Sequence, residues 1–75
     1  MISFLLINVD KGSERLVGDM LLDMDEVKNV HLLFGEFDII ARVEIKDLLH
    51  LQNFVMDNIR PIKNIQRTDT LITTQ

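Results

Sequence analysis

The chain opens with an almost unbroken run of apolar residues from Ile2 to Val9, rich in β-branched and aromatic side chains. Such a run predicts a strand that is buried on both of its faces. Lys11-Gly12-Ser13 interrupts it, and apolar residues then recur at helical spacing, with Ser13 as a candidate N-cap. We therefore predict a first strand over 2–9 and a first helix over 13–24.

Two more strands, joined by a hairpin connection, follow the first helix. The segments Val27–Phe34 and Ile39–Ile45 have strand patterns and predict the second and third strands. Between them lies Gly35-Glu36-Phe37-Asp38, and a short connection that contains glycine is a hairpin signal. Gly35 can supply a positive φ if the turn needs one.

A second helix and a fourth strand complete the pattern. Asp47 is placed to cap the helix, and Arg60-Pro61 is placed to end it. The apolar stripe of this helix consists of Leu48, Leu51, Val55 and Ile59, flanked by Phe54. From Ile62 onward, apolar residues stand among threonines and predict a fourth strand, whose polarity favours a position near a sheet edge.

This order of elements predicts the α+β class and a ferredoxin-like βαββαβ sandwich, in which a four-stranded antiparallel sheet carries two helices on one face. The two halves echo each other, because Val27-Lys28-Asn29-Val30 follows the first helix and Ile62-Lys63-Asn64-Ile65 follows the second. Both segments can meet one requirement, a lysine and an asparagine where a strand begins, so the echo indicates nothing about ancestry. We expect a single domain over residues 1–75.

The sheet face away from the helices should be polar in a monomer. In the first strand, however, Phe4 and Leu6 point to one side while Leu5 and Ile7 point to the other, and Ile40 of the third strand lies opposite its buried row. One apolar row is left over, and packing it against the same face of a second copy removes it from water. We expect an obligate homodimer that forms sheet to sheet.

Composition supports a partner subunit. The 75 residues are 47% hydrophobic and 27% charged, which is typical of one small globular domain. A core of this size rarely contributes more than about 3–5 kcal/mol, so such chains normally add disulfides, a metal or a partner. The sequence has no cysteine, which excludes disulfides and thiolate zinc sites. Oligomerisation is the remaining expectation.

Charge and hydropathy limit the other partners. A net charge of −4 argues against direct nucleic-acid binding by this chain, because phosphate contacts need clustered positive charge. The apolar start lacks a basic segment and a small-residue cleavage site, and no apolar run approaches the ~18 residues that cross a bilayer. We expect a soluble cytoplasmic protein without membrane contact.

Signals of catalysis or metal binding are sparse. His31 and His50 are not joined by a metal-binding spacing, and neither a Ser–His–acid nor a Gly-x-Ser-x-Gly pattern supplies a nucleophile. Arg42 and Glu44 share one face of the third strand, where a solvated or interfacial salt bridge is expected. We therefore expect no metal, no cofactor, no catalytic residues and no enzymatic activity.

Three segments occur in order at characteristic spacing. In chain order they are the strand start Glu26-Val27-x-x-Val30, the turn Gly35-Glu36-Phe37-Asp38 followed by Ile39-Ile40, and the closing Arg67-Thr68-Asp69-Thr70-Leu71-Ile72. Together they resemble the effector-binding (RAM) domain of the Lrp/AsnC transcriptional regulators, over essentially the whole chain. Phe34, before the glycine, departs from the small hydroxyl residue that is common in the family.

The resemblance implies a dimeric α+β barrel that often assembles further, to an octamer of four dimers in a ring, and binds small effectors at contacts between dimers. The effectors are typically amino acids. Full-length members carry an N-terminal helix-turn-helix, for which this chain has no room, so it resembles the stand-alone form. A full-length regulator of the family is then an expected partner.

Chemistry and resemblance together suggest a ligand site. A free amino acid needs hydrogen-bond donors for its carboxylate and an acceptor for its ammonium group. Gly35 allows close approach of backbone, and Asp38 can accept the ammonium. The resemblance adds Thr68 and Thr70 as ligand-binding residues. In the alternative interpretation, Asp38 only caps the hairpin and Gly35 only serves the turn.

Two other functions stay open from the sequence. Small dimeric α+β barrels include enzymes, although an enzyme needs convergent titratable residues in a deep pocket, of which this sequence has few. The domain can also act as a scaffold that joins a full-length regulator in mixed oligomers and binds no ligand itself.

Overall fold

In the computed structural model, which describes residues 1–74, the predicted elements occur in the predicted order. They are β1 (Ile2–Val9), α1 (Glu14–Leu22), β2 (Val27–Leu32), β3 (Ile39–Glu44), α2 (Leu48–Phe54), a π-helical segment (Val55–Ile59) and β4 (Ile65–Ile72). The strands form one antiparallel sheet in the order β2-β3-β1-β4. This is the ferredoxin-like arrangement, so the predicted fold class is confirmed.

The place of each strand in the sheet explains its composition. β1 and β3 are the central strands, whereas β2 and β4 form the edges. A central strand is covered by neighbours on both sides, and β1 is the most apolar of the four. β4 carries threonines and charged residues and lies at an edge, as its polarity predicts.

The core lies between the helices and one face of the sheet. Burial alternates along β1, so that Leu5 and Ile7 are fully buried while Phe4 and Leu6 stay half-buried on the opposite face. The buried apolar residues are Leu5, Ile7, Val9, Val17, Leu21, Val27, Ile39, Ala41, Val43, Ile45, Leu51, Phe54, Val55, Ile59 and Ile62. Both helices contribute to this set, and the sheet face beneath them is mainly apolar, with the fully buried Ser3 as a polar exception.

The other face of the sheet, here called the open face, is apolar at its centre. Phe4, Leu6 and Ile40 are half-buried there, and Leu71, the partner of Phe4 on β4, is 53% exposed. Arg42 of β3 pairs in register with Phe4 of β1. The Arg42 Nε is buried without a hydrogen-bond partner among residues 1–74. The leftover apolar row that the sequence predicts is therefore present.

Several element ends differ from the prediction. α1 spans Glu14–Leu22 rather than 13–24, and Ser13 stands at its N-cap without a side-chain cap bond. The Ser13 hydroxyl instead accepts a hydrogen bond from Asn64 Nδ2 at 3.2 Å, so tertiary contact replaces the local cap. β2 ends at Leu32 instead of residue 34, and β3 ends at Glu44 instead of residue 45.

α2 begins as predicted. Asp47 Oδ1 accepts a hydrogen bond from the backbone N–H of His50 at 2.8 Å, which satisfies a donor of the first turn. The predicted stripe is buried except at Leu48, which is 52% exposed because it borders a groove beside β4. The helix ends at Arg60-Pro61, in agreement with the prediction.

The second half of this helix differs from the predicted α-helical period. The Arg60 backbone N–H donates to the Val55 carbonyl at 2.9 Å, five residues back, so the turn is π-helical. Such turns occur as short insertions within α-helices, often at functional sites. Among residues 1–74, no helix is both long and apolar enough to span a membrane.

Replacing Ile59 by alanine is expected to lower the free energy of unfolding by about 2–5 kcal/mol, because this fully buried side chain would leave a cavity. Met56 lies in the same π-helical segment and is 62% exposed, so Met56→Ala is the matched control, with a change within about 0.5 kcal/mol. Urea unfolding at one protein concentration measures both variants. Equal losses would contradict the packing described for this segment.

Candidate functional site

The β2–β3 connection, residues 33–38, is tied down at its base and open at its tip. The Leu33 backbone N–H donates to the Asp38 carbonyl at 2.7 Å, and the Asp38 backbone N–H donates to the Ile7 carbonyl at 2.9 Å. Gly35 is exposed, has no positive φ, and has space for a Cβ. The positive φ lies at Gly12 instead, so this connection does not require glycine for its backbone conformation.

The Asp38 carboxylate lies at the end of β1. Its Oδ2 accepts a hydrogen bond from the Val9 backbone N–H at 2.9 Å and one from Asn8 Nδ2 at 3.4 Å. Asn8 Nδ2 also donates to the Glu36 carbonyl at 2.8 Å. Asp38 thus has a structural role, which it performs through β1 rather than through its own turn. Both bonds end on Oδ2, and within residues 1–74 no hydrogen bond ends on Oδ1.

Arg67 connects β4 to this loop. Its guanidinium carbon lies 4.9 Å from the centroid of the Phe37 ring, and its Nη1 lies 3.9 Å from Glu36 Oε1. Its Nη2 lies 3.3 Å from Asp69 Oδ2. The Arg67 side chain is 55% exposed, so these ion pairs contribute little stability. They do hold a cation beside the loop, at the strand position that pairs with Asn8.

Sequence reasoning did not predict the contact between Arg67 and Phe37. Arg67 stands at the start of the closing segment, 30 positions after Phe37 in the printed chain. No local spacing relates two residues that far apart. Their contact results from the antiparallel pairing of β4 with β1, which brings the start of β4 to the end of the hairpin.

Thr68 and Thr70 lie on the other side of the sheet. They pair in register with Ile7 and Leu5, two fully buried residues of the face that the helices cover. Directly paired residues in antiparallel strands share a face, so both threonines point to the helix side. The Asp38 carboxylate is bonded to Asn8, which alternation places on the open face. Within one chain, these four predicted site residues therefore do not line a single pocket.

A groove runs between the second helix and β4. It has a volume of about 540 Å³. Its walls are formed by Leu48, Leu51, Gln52, Asn53, Val55, Met56, Arg60, Thr70 and Ile72. Thr70 is the one predicted site residue among them. The sequence did not predict this groove, because the helical stripe identifies the residues that are buried and not those that border a gap.

The remaining polar side chains serve local roles. Arg42 Nη2 lies 3.8 Å from Glu44 Oε2, both partly exposed, which agrees with the predicted salt bridge. His50 Nδ1 accepts a hydrogen bond from the Lys46 backbone N–H at 2.9 Å, and its Nε2 lies 3.4 Å from Glu26 Oε2. Within the described chain, no three His, Cys, Asp or Glu side chains are grouped to hold a metal ion.

Known proteins resemble this chain in sequence. The family model of the Lrp/AsnC ligand binding domain matches residues 2–75. An uncharacterised helix-turn-helix-type transcriptional regulator of Pyrococcus furiosus is 28% identical over 74 residues, which cover 99% of this chain and 50% of that protein. The chain thus spans about half the length of the curated relatives it matches.

Solved structures share the fold. A hypothetical protein of Pyrococcus horikoshii is 38% identical with a TM-score of 0.94, covering 100% of this chain and 92% of its own. Escherichia coli AsnC is 27% identical with a TM-score of 0.87, covering 99% of this chain and 50% of its own. A Neisseria meningitidis regulator in complex with L-Met is 18% identical with a TM-score of 0.90, and the match covers 99% of this chain and 49% of the regulator chain. With its whole length matched by one family model, the chain belongs to the family of Lrp/AsnC ligand-binding domains.

Proposed function

We propose that the chain binds an amino acid, or a related small metabolite, and couples this binding to its own assembly as part of transcriptional regulation. The observation that carries the proposal lies at the end of β1. There, no hydrogen bond within residues 1–74 ends on Asp38 Oδ1, and the exposed Arg67 lies on β4 opposite Asn8, whose Nδ2 is bonded to Asp38 Oδ2. An amino acid carries an ammonium and a carboxylate close together, and these two side chains offer a charged partner for each.

The relatives support the effector class and the regulatory role. The family is one of ligand-binding domains, and curated relatives are named transcriptional regulators. A regulator of the same fold is known as a complex with L-Met. The open tip at Gly35, where the fold has no steric need for glycine, gives a ligand access to the backbone of the loop. These observations favour a receptor over an enzyme.

The ligand site is proposed to form between chains. Within one chain, the sheet separates Thr68 and Thr70 from Asp38. A ligand that contacts Gly35 and Asp38 of one chain can therefore reach the two threonines only in a neighbouring chain. A ligand held at such a contact binds the assembled state and not the separated one. It therefore stabilises the assembly in proportion to that difference in affinity. Residues 1–75 are proposed to act as one ligand-binding domain.

The first step of assembly is proposed to be a homodimer across the open face. Phe4, Leu6 and Ile40 form its half-buried centre, with Leu71 beside them. A second copy that packs the same face against this one would remove the apolar row from water and offer acceptors to the unpartnered Nε of Arg42. Further assembly of dimers, up to a ring of four, and contact with a full-length regulator belong to the same proposal.

One observation favours a second function, a scaffold that joins a regulator without binding an effector. Both hydrogen bonds to Asp38 Oδ2 tie the loop to β1, so this carboxylate has a role without any ligand. The scaffold and the receptor make the same dimer. They differ in whether the assembly gains mass from a small molecule.

The Asp38→Asn variant tests the receptor directly. It keeps an oxygen for the Val9 backbone N–H but loses the negative charge, so amino-acid affinity is expected to fall at least tenfold while the assembly persists. Asp19→Asn, the same substitution at an exposed position on α1 away from the loop, is the matched control, expected to change affinity by less than about threefold. Native mass spectrometry with the pooled proteinogenic amino acids identifies the effector, and calorimetry then measures each variant.

Each outcome of this experiment has a distinct meaning. An even-numbered assembly that gains a discrete mass, and loses it in Asp38→Asn, supports the receptor. An assembly that gains no mass with any amino acid supports the scaffold. Equal affinity in Asp38→Asn and the original chain contradicts the role given to this carboxylate.

Leu6→Asp is expected to separate the dimer, because it places a charge in the apolar centre of the open face, between Ile40 and Asp69 of the neighbouring strands. Leu16→Asp, on α1 with Leu16 55% exposed, adds the same charge away from that face and should leave the dimer intact. Light scattering at micromolar concentration gives the masses, and circular dichroism checks that both variants fold. A monomeric original chain would refute the dimer.

A further inference from the structure

The groove between the second helix and β4 has features that the amino-acid site does not explain. One wall carries Leu51, Val55 and Met56 from the helix, and the other carries Thr70 and Ile72 from β4. Its volume of about 540 Å³ falls within the roughly 300–1,000 Å³ of small-molecule sites. The groove lies on the helix side of the sheet, whereas the Asp38 carboxylate lies with the open face.

The groove lining carries one positive charge and no negative charge. Arg60 is the sole ionisable side chain among the lining residues, and within residues 1–74 it forms no ion pair. No Asp or Glu lines the groove, although the chain has a net charge of −4. An unpaired guanidinium at the border of an apolar groove fits the carboxylate of a ligand. It offers nothing to an ammonium group.

Uncharged polar groups complete the lining. Gln52 and Asn53 border the groove from the helix, and Thr70 borders it from β4. Ser3, which pairs in register with Ile72, is fully buried on the same sheet face and is not itself a lining residue. The lining therefore combines apolar side chains, uncharged polar residues and one cation.

The backbone beside the groove is also unusual. The π-helical turn begins at Val55, and the bond from the Arg60 N–H to the Val55 carbonyl closes it. Both of these residues, and Met56 between them, line the groove. Because π-helical turns occur often at functional sites, this turn is a second and independent indication that the groove has a role.

We propose that the groove binds a small monocarboxylate with an apolar chain, as a second ligand distinct from the amino acid. The ligand carboxylate pairs with Arg60, and its apolar chain lies against Leu51, Met56 and Ile72. Since the lining has no acidic side chain, an α-ammonium group would lose its hydration without gaining a partner. The groove therefore prefers an acid over the corresponding amino acid.

Three probes of one carbon skeleton test this preference in the full chain. They are hexanoate, 2-aminohexanoate, which adds the ammonium, and 1-hexanol, which lacks the carboxylate. In ¹H–¹⁵N correlation spectra, hexanoate is expected to shift the amide signals of residues 52–56, Arg60 and Ile72. The other two probes should require at least tenfold higher concentration for the same shifts.

The position of the shifts separates this proposal from the amino-acid site. Binding of 2-aminohexanoate at the loop would move the signals of Gly35, Asp38 and the Thr70 of a neighbouring chain, but not those of residues 52–56 and Arg60. Hexanoate binding in the groove with no amino acid at the loop would support this inference and refute the other. An absence of hexanoate shifts in the groove would overturn this one alone.

Matched variants identify the residues responsible. Arg60→Gln is expected to weaken hexanoate binding about tenfold. Arg15→Gln, which removes the same charge from an exposed position on α1, should leave it unchanged. Met56→Asp should weaken binding by charge repulsion, whereas Leu49→Asp, on an exposed residue outside the groove, should not. Equal hexanoate affinity in Arg60→Gln and the original chain would overturn the proposal, and dispersed spectra confirm that each variant folds.

Discussion

The structure depends on one constraint, which is that β1 has apolar side chains on both faces in a chain of 75 residues. Two short helices can cover only one face of a four-stranded sheet. The face that includes Leu5 and Ile7 receives that cover, and every fully buried residue of the strands lies on it. The face that includes Phe4 and Leu6 is left half-buried. The proposed dimer rests on this imbalance, because the two helices of the chain cover only one of the two sheet faces.

The same constraint decides where polar groups can stand. The central strands are mostly apolar, with Ser3 and Arg42 as exceptions, and many of the other charged and hydroxyl side chains lie on the edge strands, at strand ends and in the β2–β3 connection. Asp38, Asn8 and Arg67 meet at one such end. A polar cluster there costs little desolvation and stays accessible to a ligand. The candidate site thus lies where the core ends, and its side chains are held by the strands that form the core.

The sheet also divides the molecule chemically. Its open-face side has the Asp38 carboxylate bonded to Asn8 and Arg67 opposite Asn8 on β4, the two groups on which the proposed amino-acid site rests. Its helix side presents a groove with Arg60 as the single charge, a combination that suits an anion with an apolar body. β4 contributes to both, because its successive side chains alternate between the two sides: Arg67 belongs to the first and Thr70 to the second. A small domain of this kind can therefore offer two different environments from one edge strand.

The sequence alone determined the element order, the apolar rows of the first and third strands, the Asp47 cap and the family, because each is read from local periodicity, capping chemistry or short motifs. It also identified Asp38 and the closing segment that holds the threonines. Only the tertiary structure decided that Asp38 and Thr68 lie on opposite sides of the sheet, that Arg67 contacts Phe37, and that a π-helical turn borders a groove. These relations depend on strand order, register and the packing of a helix against an edge. Strand order, register and packing arise from contacts between residues that are distant in the chain, and no local sequence pattern contains that information.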